Sequence, residues 1–110
     1  MSSTKNERLR ALLTTFKLAN QARWSVGSTS PENKALLKNA AEKAEEAYID
    51  AVNLGLKTNG TAVEVAYKAV NEANKVILLQ LKKRAKILKR IEAIDEALSK
   101  GLKLIEKAAE

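Results

Sequence analysis

The sequence predicts an all-α protein, a helical bundle, from three observations. Apolar residues recur at steps of three and four along most of the chain, the spacing that places them on one face of an α-helix. Three segments open on helix-capping signals, and the chain's one proline stands at the start of the second segment. A length of 110 residues suits a single domain with a modest core.

The first predicted helix covers about residues 4–26 and opens on a capping box. The Thr4 side chain is expected to accept the backbone N–H of Glu7, whose carboxylate reaches back to the Thr4 N–H. One face of this helix contains Leu9, Leu12, Leu13, Phe16, Ala19, Arg23 and Val26. Gly27 suits the left-handed position that closes a helix, so the helix is expected to end near Ser25.

The second predicted helix covers about residues 31–58. Ser30 can cap it, proline is favoured at the first helical position, and the Glu32 carboxylate favours the positive end of the helix dipole. Asn59 and Gly60 then supply the exit. The contact face consists of Leu37, Ala40, Ala44, Ala47, Ala51 and Leu54, flanked by Ala41, Tyr48 and Val52. Its four successive alanines allow a neighbouring backbone to approach closely.

The third predicted helix is continuous over about residues 62–108 and opens on a second capping box, at Thr61 and Glu64. No proline interrupts it, and Gly101 costs only about 1 kcal/mol relative to alanine. Such a helix of about 47 residues is about 70 Å long. Its apolar stripe keeps a heptad spacing throughout: Val63, Tyr67, Val70, Asn74, Ile77, Leu81, Arg84, Leu88, Ile91, Asp95, Leu98, Leu102, Ile105 and Ala109.

The two predicted connections have about four residues or fewer, so each is expected to join antiparallel neighbours. Two short helices cover only half of the long one, and its remaining apolar side chains would each forfeit about 1.5–3 kcal/mol of burial. We therefore expect a swapped antiparallel homodimer in which each overhang completes the other chain's four-helix bundle. The alternative is a monomeric up-down-up-down four-helix bundle with a turn near residues 82–85. Helix lengths favour this alternative, whereas the missing turn residues and the unshifted seam oppose it.

A two-fold axis between Lys89 and Arg90 would set Arg84 of one chain against Asp95 of the other, the only charged residues on the seam. The predicted oligomer seam comprises Ile77, Leu81, Arg84, Leu88, Ile91, Asp95, Leu98 and Leu102.

The protein has a net charge of +7, and the positive charge is most concentrated in residues 82–91, which contain six basic and no acidic residues. Five of them lie off the seam and are possible anion-binding residues for nucleic-acid phosphates or an anionic surface, with weak, salt-dependent affinity. These are Lys82, Lys83, Lys86, Lys89 and Arg90. The alternative is a solvated helix face that keeps the protein soluble. No aromatic residue is interleaved with them to stack on bases.

A second candidate site is a polar pocket in the room that the alanines leave. It would be lined by Asn20, Arg23, Trp24, Tyr48, Asn53, Tyr67, Asn71, Asn74, Arg84 and Asp95. The alternative is that a polar seam residue fixes helix register and oligomeric state, while the aromatic residues fill the core.

No catalytic, cofactor or metal site is expected. The chain has no histidine and no cysteine, which removes the commonest general base, a cysteine nucleophile and thiolate metal ligands. No paired catalytic spacing or Gly-rich phosphate loop is present. No apolar run reaches the length of a membrane span and no signal peptide is visible, so a soluble, cytoplasmic protein is expected.

The absence of His and Cys, the clean capping signals and the Ala, Glu, Lys and Leu rich segments such as residues 42–47 resemble computationally designed or redesigned helical bundles. No motif of a natural family accompanies them. The resemblance implies a scaffold, assembly or designed binding role and names no active residue. The expected function is helix-mediated self-association without catalysis. The alternatives are a basic nucleic-acid-binding protein and a small-molecule-binding bundle.

Overall fold

The computed structural model describes residues 2–25 and 29–109. These residues form four α-helices and no strand: α1 Lys5–Trp24, α2 Pro31–Leu54, α3 Thr61–Lys82 and α4 Ile87–Ala108. The all-α prediction is confirmed, with four helices instead of three. Val26 and Gly27, assigned above to the end of the first helix, lie outside the described residues. Within the described ranges, no helix is long and apolar enough to cross a membrane.

α1 and α2 begin at their predicted capping residues. At α1, the Glu7 N–H donates to Thr4 Oγ1 over 3.1 Å and the Thr4 N–H donates to the Glu7 carboxylate over 2.8 Å. At α2, the Asn33 N–H donates to Ser30 Oγ over 3.2 Å, and Pro31 occupies the first helical turn. Both signals act locally, which is why the sequence alone identifies them.

The connection between α2 and α3 differs from the prediction. α2 ends at Leu54, because Gly55 adopts φ +86°, the left-handed conformation that closes a helix. The second capping box does not form: Gly60 precedes α3, and no side chain caps that helix. The Glu64 carboxylate instead bonds to residues that precede or begin α1.

The predicted continuous helix over residues 62–108 is wrong for this structure. Residues 83–86 leave the helical conformation, and the chain reverses there, so that α4 packs against α3. The alternative with a turn near residues 82–85 describes this part of the chain.

The turn between α3 and α4 is a Schellman motif. The Ala85 N–H donates to the Gln80 carbonyl over 3.0 Å, and the Arg84 N–H donates to the Leu81 carbonyl over 3.2 Å. Arg84 occupies the left-handed position at φ +52°, where glycine is usual. Because no glycine stands at this position, the sequence does not predict the turn.

The helices pack as two hairpins, α1 with α2 and α3 with α4. In addition α1 packs on α3, α2 packs on α4, and α1 approaches α4 across the centre, whereas the described parts of α2 and α3 do not meet. The expectation that α2 and α3 are neighbours is therefore wrong. Residues 55–60 form a connection longer than assumed, and it crosses the diagonal of the bundle.

One end of the bundle gathers the starts of α1 and α3 and the end of α4. Arg8 near the start of α1 bonds to Glu64 near the start of α3, over 3.1 Å. The Thr58 N–H donates to the Ala108 carbonyl at the end of α4, over 3.0 Å. Consequently α1 and α3 run in one direction, and α2 and α4 run in the other.

Small side chains allow the helices to approach closely. Five alanines of α2 are buried: Ala40, Ala41, Ala44, Ala47 and Ala51. In α4, Gly101 faces α1, and a Cβ atom at this position would lie 2.9 Å from Leu12 Cδ2. Gly101 therefore sets the separation of α1 and α4 across the centre of the bundle.

Candidate interaction surfaces

A groove of about 330 Å³ runs between α3 and α4. We call it the α3–α4 groove. Its floor is apolar and belongs to α3, and its opposite wall is a row of lysines on α4. The lining residues are Ala62, Val65, Ala66, Ala69, Lys100, Lys103 and Lys107. Val65 is 64% exposed although it lies among apolar residues, so the groove presents an uncovered apolar surface.

The three groove lysines share one side of α4 because they are spaced by three and four residues. Lys100 forms an ion pair with Glu96 at 3.4 Å, and Lys107 approaches the Glu106 carboxylate to 4.0 Å. Lys103 forms no ion pair with a described residue. The wall of the groove thus stays cationic. This site exists only when α4 folds back against α3, so the sequence alone does not reveal it.

The α3–α4 turn collects most of the predicted anion-binding residues at one end of the bundle. Lys82, Lys83, Lys86 and Lys89 are all exposed there, together with Arg84. Arg90 does not join them: it is buried, and its Nη1 atom donates to Ser25 Oγ over 3.4 Å. Arg90 is thus separated from the exposed cations, because the reversal of the chain turns it toward the end of α1.

An aromatic residue lies at this same end. Trp24, in the last turn of α1, is 71% exposed, and the Arg23 guanidinium carbon lies 4.4 Å from its ring centroid. The Arg90 contact to Ser25 brings the start of α4 to this part of α1. Trp24 is distant from the basic segment along the chain and reaches this end only through folding, so the sequence does not place an aromatic residue there.

The structure divides the predicted oligomer seam between the core and the surface. Four seam residues are buried or partly buried within the single-chain bundle: Ile77, Leu81, Ile91 and Leu98. The other four are exposed: Arg84, Leu88, Asp95 and Leu102. Arg84 and Asp95 form no ion pair within the described residues. The seam between chains remains a prediction, one that requires α4 to leave its own chain.

The predicted polar pocket does not assemble as a whole, although Asn20, Arg23 and Trp24 line one cavity of about 170 Å³ between α1 and α2. Asn74 is buried, accepts the Thr15 hydroxyl over 2.6 Å and donates to the Ala11 carbonyl over 3.0 Å. Arg84 and Asp95 lie at the surface, away from it. Asn74 thus joins α3 to α1, as the register interpretation predicts.

The contact of α1, α2 and α4 leaves almost no free space at one point in the bundle. The void among Leu12, Thr15, Ala44, Ala47, Ala97, Leu98 and Gly101 measures about 10 Å³. A void of this size is at the lower limit for a single water molecule. The alanine stripe therefore serves close helix packing and leaves no room for a ligand at this point.

A polar network that sequence analysis missed closes the opposite end of the bundle. Arg8 is fully buried, and all five of its N–H groups donate hydrogen bonds. The acceptors are Ser3 Oγ, the carbonyls of Leu56 and Thr58, Asn59 Oδ1 and Glu64 Oε2, at 2.8–3.1 Å. We call these residues the Arg8 network. It ties the α2–α3 connection to the starts of α1 and α3.

The Glu64 carboxylate also accepts the Ser3 N–H over 2.9 Å and the Ser3 hydroxyl over 2.8 Å. The backbone N–H bond from Ser3, with smaller contributions from the Ser3 hydroxyl and Arg8, lowers the pKa of Glu64 against the opposing effect of burial. The charged form of Glu64 is therefore part of the folded state. This role in packing accounts for the network without a ligand.

Among the described residues, no group of three or more His, Cys, Asp or Glu side chains is arranged to hold a metal ion. Comparison of the chain with models of known protein families, with curated proteins and with solved structures found no match.

Proposed function

We propose that this protein is a non-catalytic helical module that self-associates by exchanging α4 between two chains, forming a swapped antiparallel dimer. The observation that carries the proposal is the α3–α4 turn, where Arg84 occupies a left-handed position without a glycine. A left-handed conformation costs a non-glycine residue about 1–2 kcal/mol. A hinge strained in this way favours exchange over closure.

Two further features of the turn support an extended form. No side chain caps the N-terminus of α4, so its first N–H groups lack a side-chain partner. Residues 83–86 are lysine, arginine and alanine, which are good helix formers. A continuous helix through them would remove the strain at Arg84 and satisfy those N–H groups.

The proposed two-fold axis lies between Lys89 and Arg90. In that arrangement Arg84 faces Asp95 of the partner subunit, and two side chains that are exposed in the closed chain gain an ion-pair partner. The hydrophobic part of the seam then changes its partners: Leu81 faces Leu98 of the partner subunit, and Ile77 faces Leu102 of the partner subunit.

Molar mass in solution, measured over a range of concentrations by light scattering or sedimentation, tests the proposal. Wild type should approach twice the 12.0 kDa of one chain. Arg84→Gly should shift it toward the monomer, because glycine removes the strain of the turn and costs about 1 kcal/mol in a continuous helix. Since about 1.4 kcal/mol is tenfold and two chains contribute, the dimer Kd should rise by roughly a hundredfold or more.

Arg84→Ala is the matched control, because it removes the same charge but keeps a Cβ atom in the left-handed position. It should remain dimeric where Arg84→Gly is monomeric. A wild type that sediments as a 12.0 kDa monomer at every concentration would reject the exchange.

The basic end of the bundle favours a second function, the binding of single-stranded nucleic acid. The specific observation is that five exposed cations of residues 82–89 share this end with the exposed ring of Trp24. Cations neutralise phosphates, and an exposed aromatic ring stacks on bases. The affinity would be weak and would fall steeply with salt.

Anisotropy of a labelled single-stranded oligonucleotide, titrated at several salt concentrations, tests this second function. Replacing Lys83, Lys86 and Lys89 by Gln should lower the slope of log K against log salt by about 2, since each lost phosphate contact removes about 0.7. Replacing the three groove lysines by Gln removes the same charge at another surface and should leave the slope unchanged. Equal losses in both variants would mean that only net charge matters, which contradicts a site at the turn.

A further inference from the structure

A surface on α2 complements the α3–α4 groove. Ile49 is 50% exposed, and carboxylates lie within one turn on both sides of it. Glu45 lies on the side of α1, and Glu46 and Asp50 lie on the side of α4. We call Ile49 with these three residues the Ile49 patch. The patch is an apolar side chain between acidic ones, whereas the groove is an apolar floor beside basic ones.

The carboxylates of the Ile49 patch are available for a partner. Glu45, Glu46 and Asp50 form no ion pair among the described residues, although Lys43 lies beside two of them. By contrast, Glu42 one turn earlier is paired with Lys38 at 3.9 Å.

The shape of the lysine row selects the kind of partner. Lys100 to Lys107 spans about 10 Å along α4, at 1.5 Å per residue. A single carboxylate ligand would neutralise only one of the three lysines. Several carboxylates on one helix, flanking an apolar side chain, match both the row and the floor of the groove.

We propose that the α3–α4 groove of one molecule binds the Ile49 patch of α2 from a second copy. The contact cannot form within one bundle, because α2 lies diagonally opposite α3. It joins two different surfaces, so it links molecules head to tail into a ring or an open chain. It uses the closed chain, in which α4 lies beside α3 of the same chain and the two helices form the groove.

Charge reversal tests the docking in the Arg84→Gly background, where exchange is suppressed. One variant carries Lys100→Glu, Lys103→Glu and Lys107→Glu, and the second carries Glu45→Lys, Glu46→Lys and Asp50→Lys. Each variant alone presents like charges at groove and patch and should associate at least tenfold more weakly than the background protein at low ionic strength. An equimolar mixture should recover association, because each reversed surface meets its complement. Sedimentation velocity measures all three samples.

A control variant with Lys5→Glu, Lys17→Glu and Lys34→Glu changes the net charge equally at exposed positions outside the groove. It should associate as the background does.

Ile49→Ser should weaken association without changing its salt dependence, since it removes only the apolar contact. Association that survives the groove reversal, or a mixture that fails to recover it, would overturn the docking. The swapped dimer of the wild type would be unaffected by that result.

Discussion

Arg8 is the residue on which one end of the molecule depends, because it combines full burial with a complete set of hydrogen bonds. Its guanidinium satisfies two backbone carbonyls of the α2–α3 connection, and the buried carbonyl of Leu56 would otherwise lack this partner. This role is not visible in the sequence alone. The acceptors come from distant parts of the chain, and a buried arginine looks like any surface arginine until they are assembled.

Arg8→Met should lower the free energy of unfolding by about 3 kcal/mol, near the low end for removal of one partner of a buried ion pair, because Glu64 stays partly hydrated. Urea denaturation followed by circular dichroism measures the loss. Arg10→Met, at an exposed position of the same helix, should change the stability by less than about 0.5 kcal/mol. Similar losses in both variants would contradict the role of the Arg8 network.

Acid should weaken the same network. The pKa of Glu64 lies below the 4.5 of the free side chain, so the folded state binds fewer protons than the unfolded chain in that range. The stabilisation is complete above pH 4.5 and is lost as the pH falls through the folded value. Glu64→Gln should therefore reduce the decline of stability below pH 4.5, whereas Glu106→Gln, outside the network, should not. Urea titrations across this range provide the comparison.

At the scale of the helices, a polar pair aligns α1 with α3. Thr15 and Asn74 lie in an otherwise apolar contact, and they bond to each other only when the two helices keep one register. The sequence marks Asn74 as a polar residue on an apolar stripe, but it does not reveal Thr15 as the partner. That pairing follows from parallel packing of α1 on α3, which the expected neighbour order did not include.

Thr15→Val should destabilise the protein by about 1–3 kcal/mol, because it leaves the Asn74 carbonyl oxygen buried without a donor. Adding Asn74→Leu should recover part of this loss, since both polar partners are then gone. A double-mutant cycle of unfolding free energies gives the coupling. Additive losses would mean that the pair does not act as a unit.

The helix boundaries show which signals a sequence carries. Thr4 and Ser30 mark their helices because a cap depends on neighbouring residues only. The end of the helix after Lys82 has no sequence signal, because the heptad spacing continues across the turn. Arg84 also occupies the left-handed position at which a glycine would have indicated a turn. The α3–α4 groove was hidden for the same reason, since it needs the two helices side by side.

At the scale of the whole molecule, the proposed associations use different forces. Exchange of α4 relies on the apolar contacts of the core, which salt affects little, whereas docking of the Ile49 patch relies on opposite charges, which salt screens. Mass measurements at low and high ionic strength therefore separate the two. As the salt concentration is raised, species larger than a dimer should dissociate before the dimer does.

The proposed two-fold axis can be tested through its charges. Arg84→Glu should weaken the exchanged dimer by setting two acidic side chains against each other, and adding Asp95→Arg should restore part of the affinity. The closed chain should keep its stability within about 0.5 kcal/mol, since both positions are exposed in it. Dimer dissociation constants from sedimentation complete the cycle. Simple addition of the two losses would place the axis elsewhere.

The contact between Leu12 and Gly101 joins the first helix of the sequence to the last. As the chain emerges from the ribosome, α1 and α2 are synthesised long before α4. The buried face of α2 consists largely of alanine. Leu12 then has no cover from α4 until the final helix has been synthesised. A growing chain stalled after α3 lacks this contact, and we expect it to bind chaperones that recognise exposed leucine.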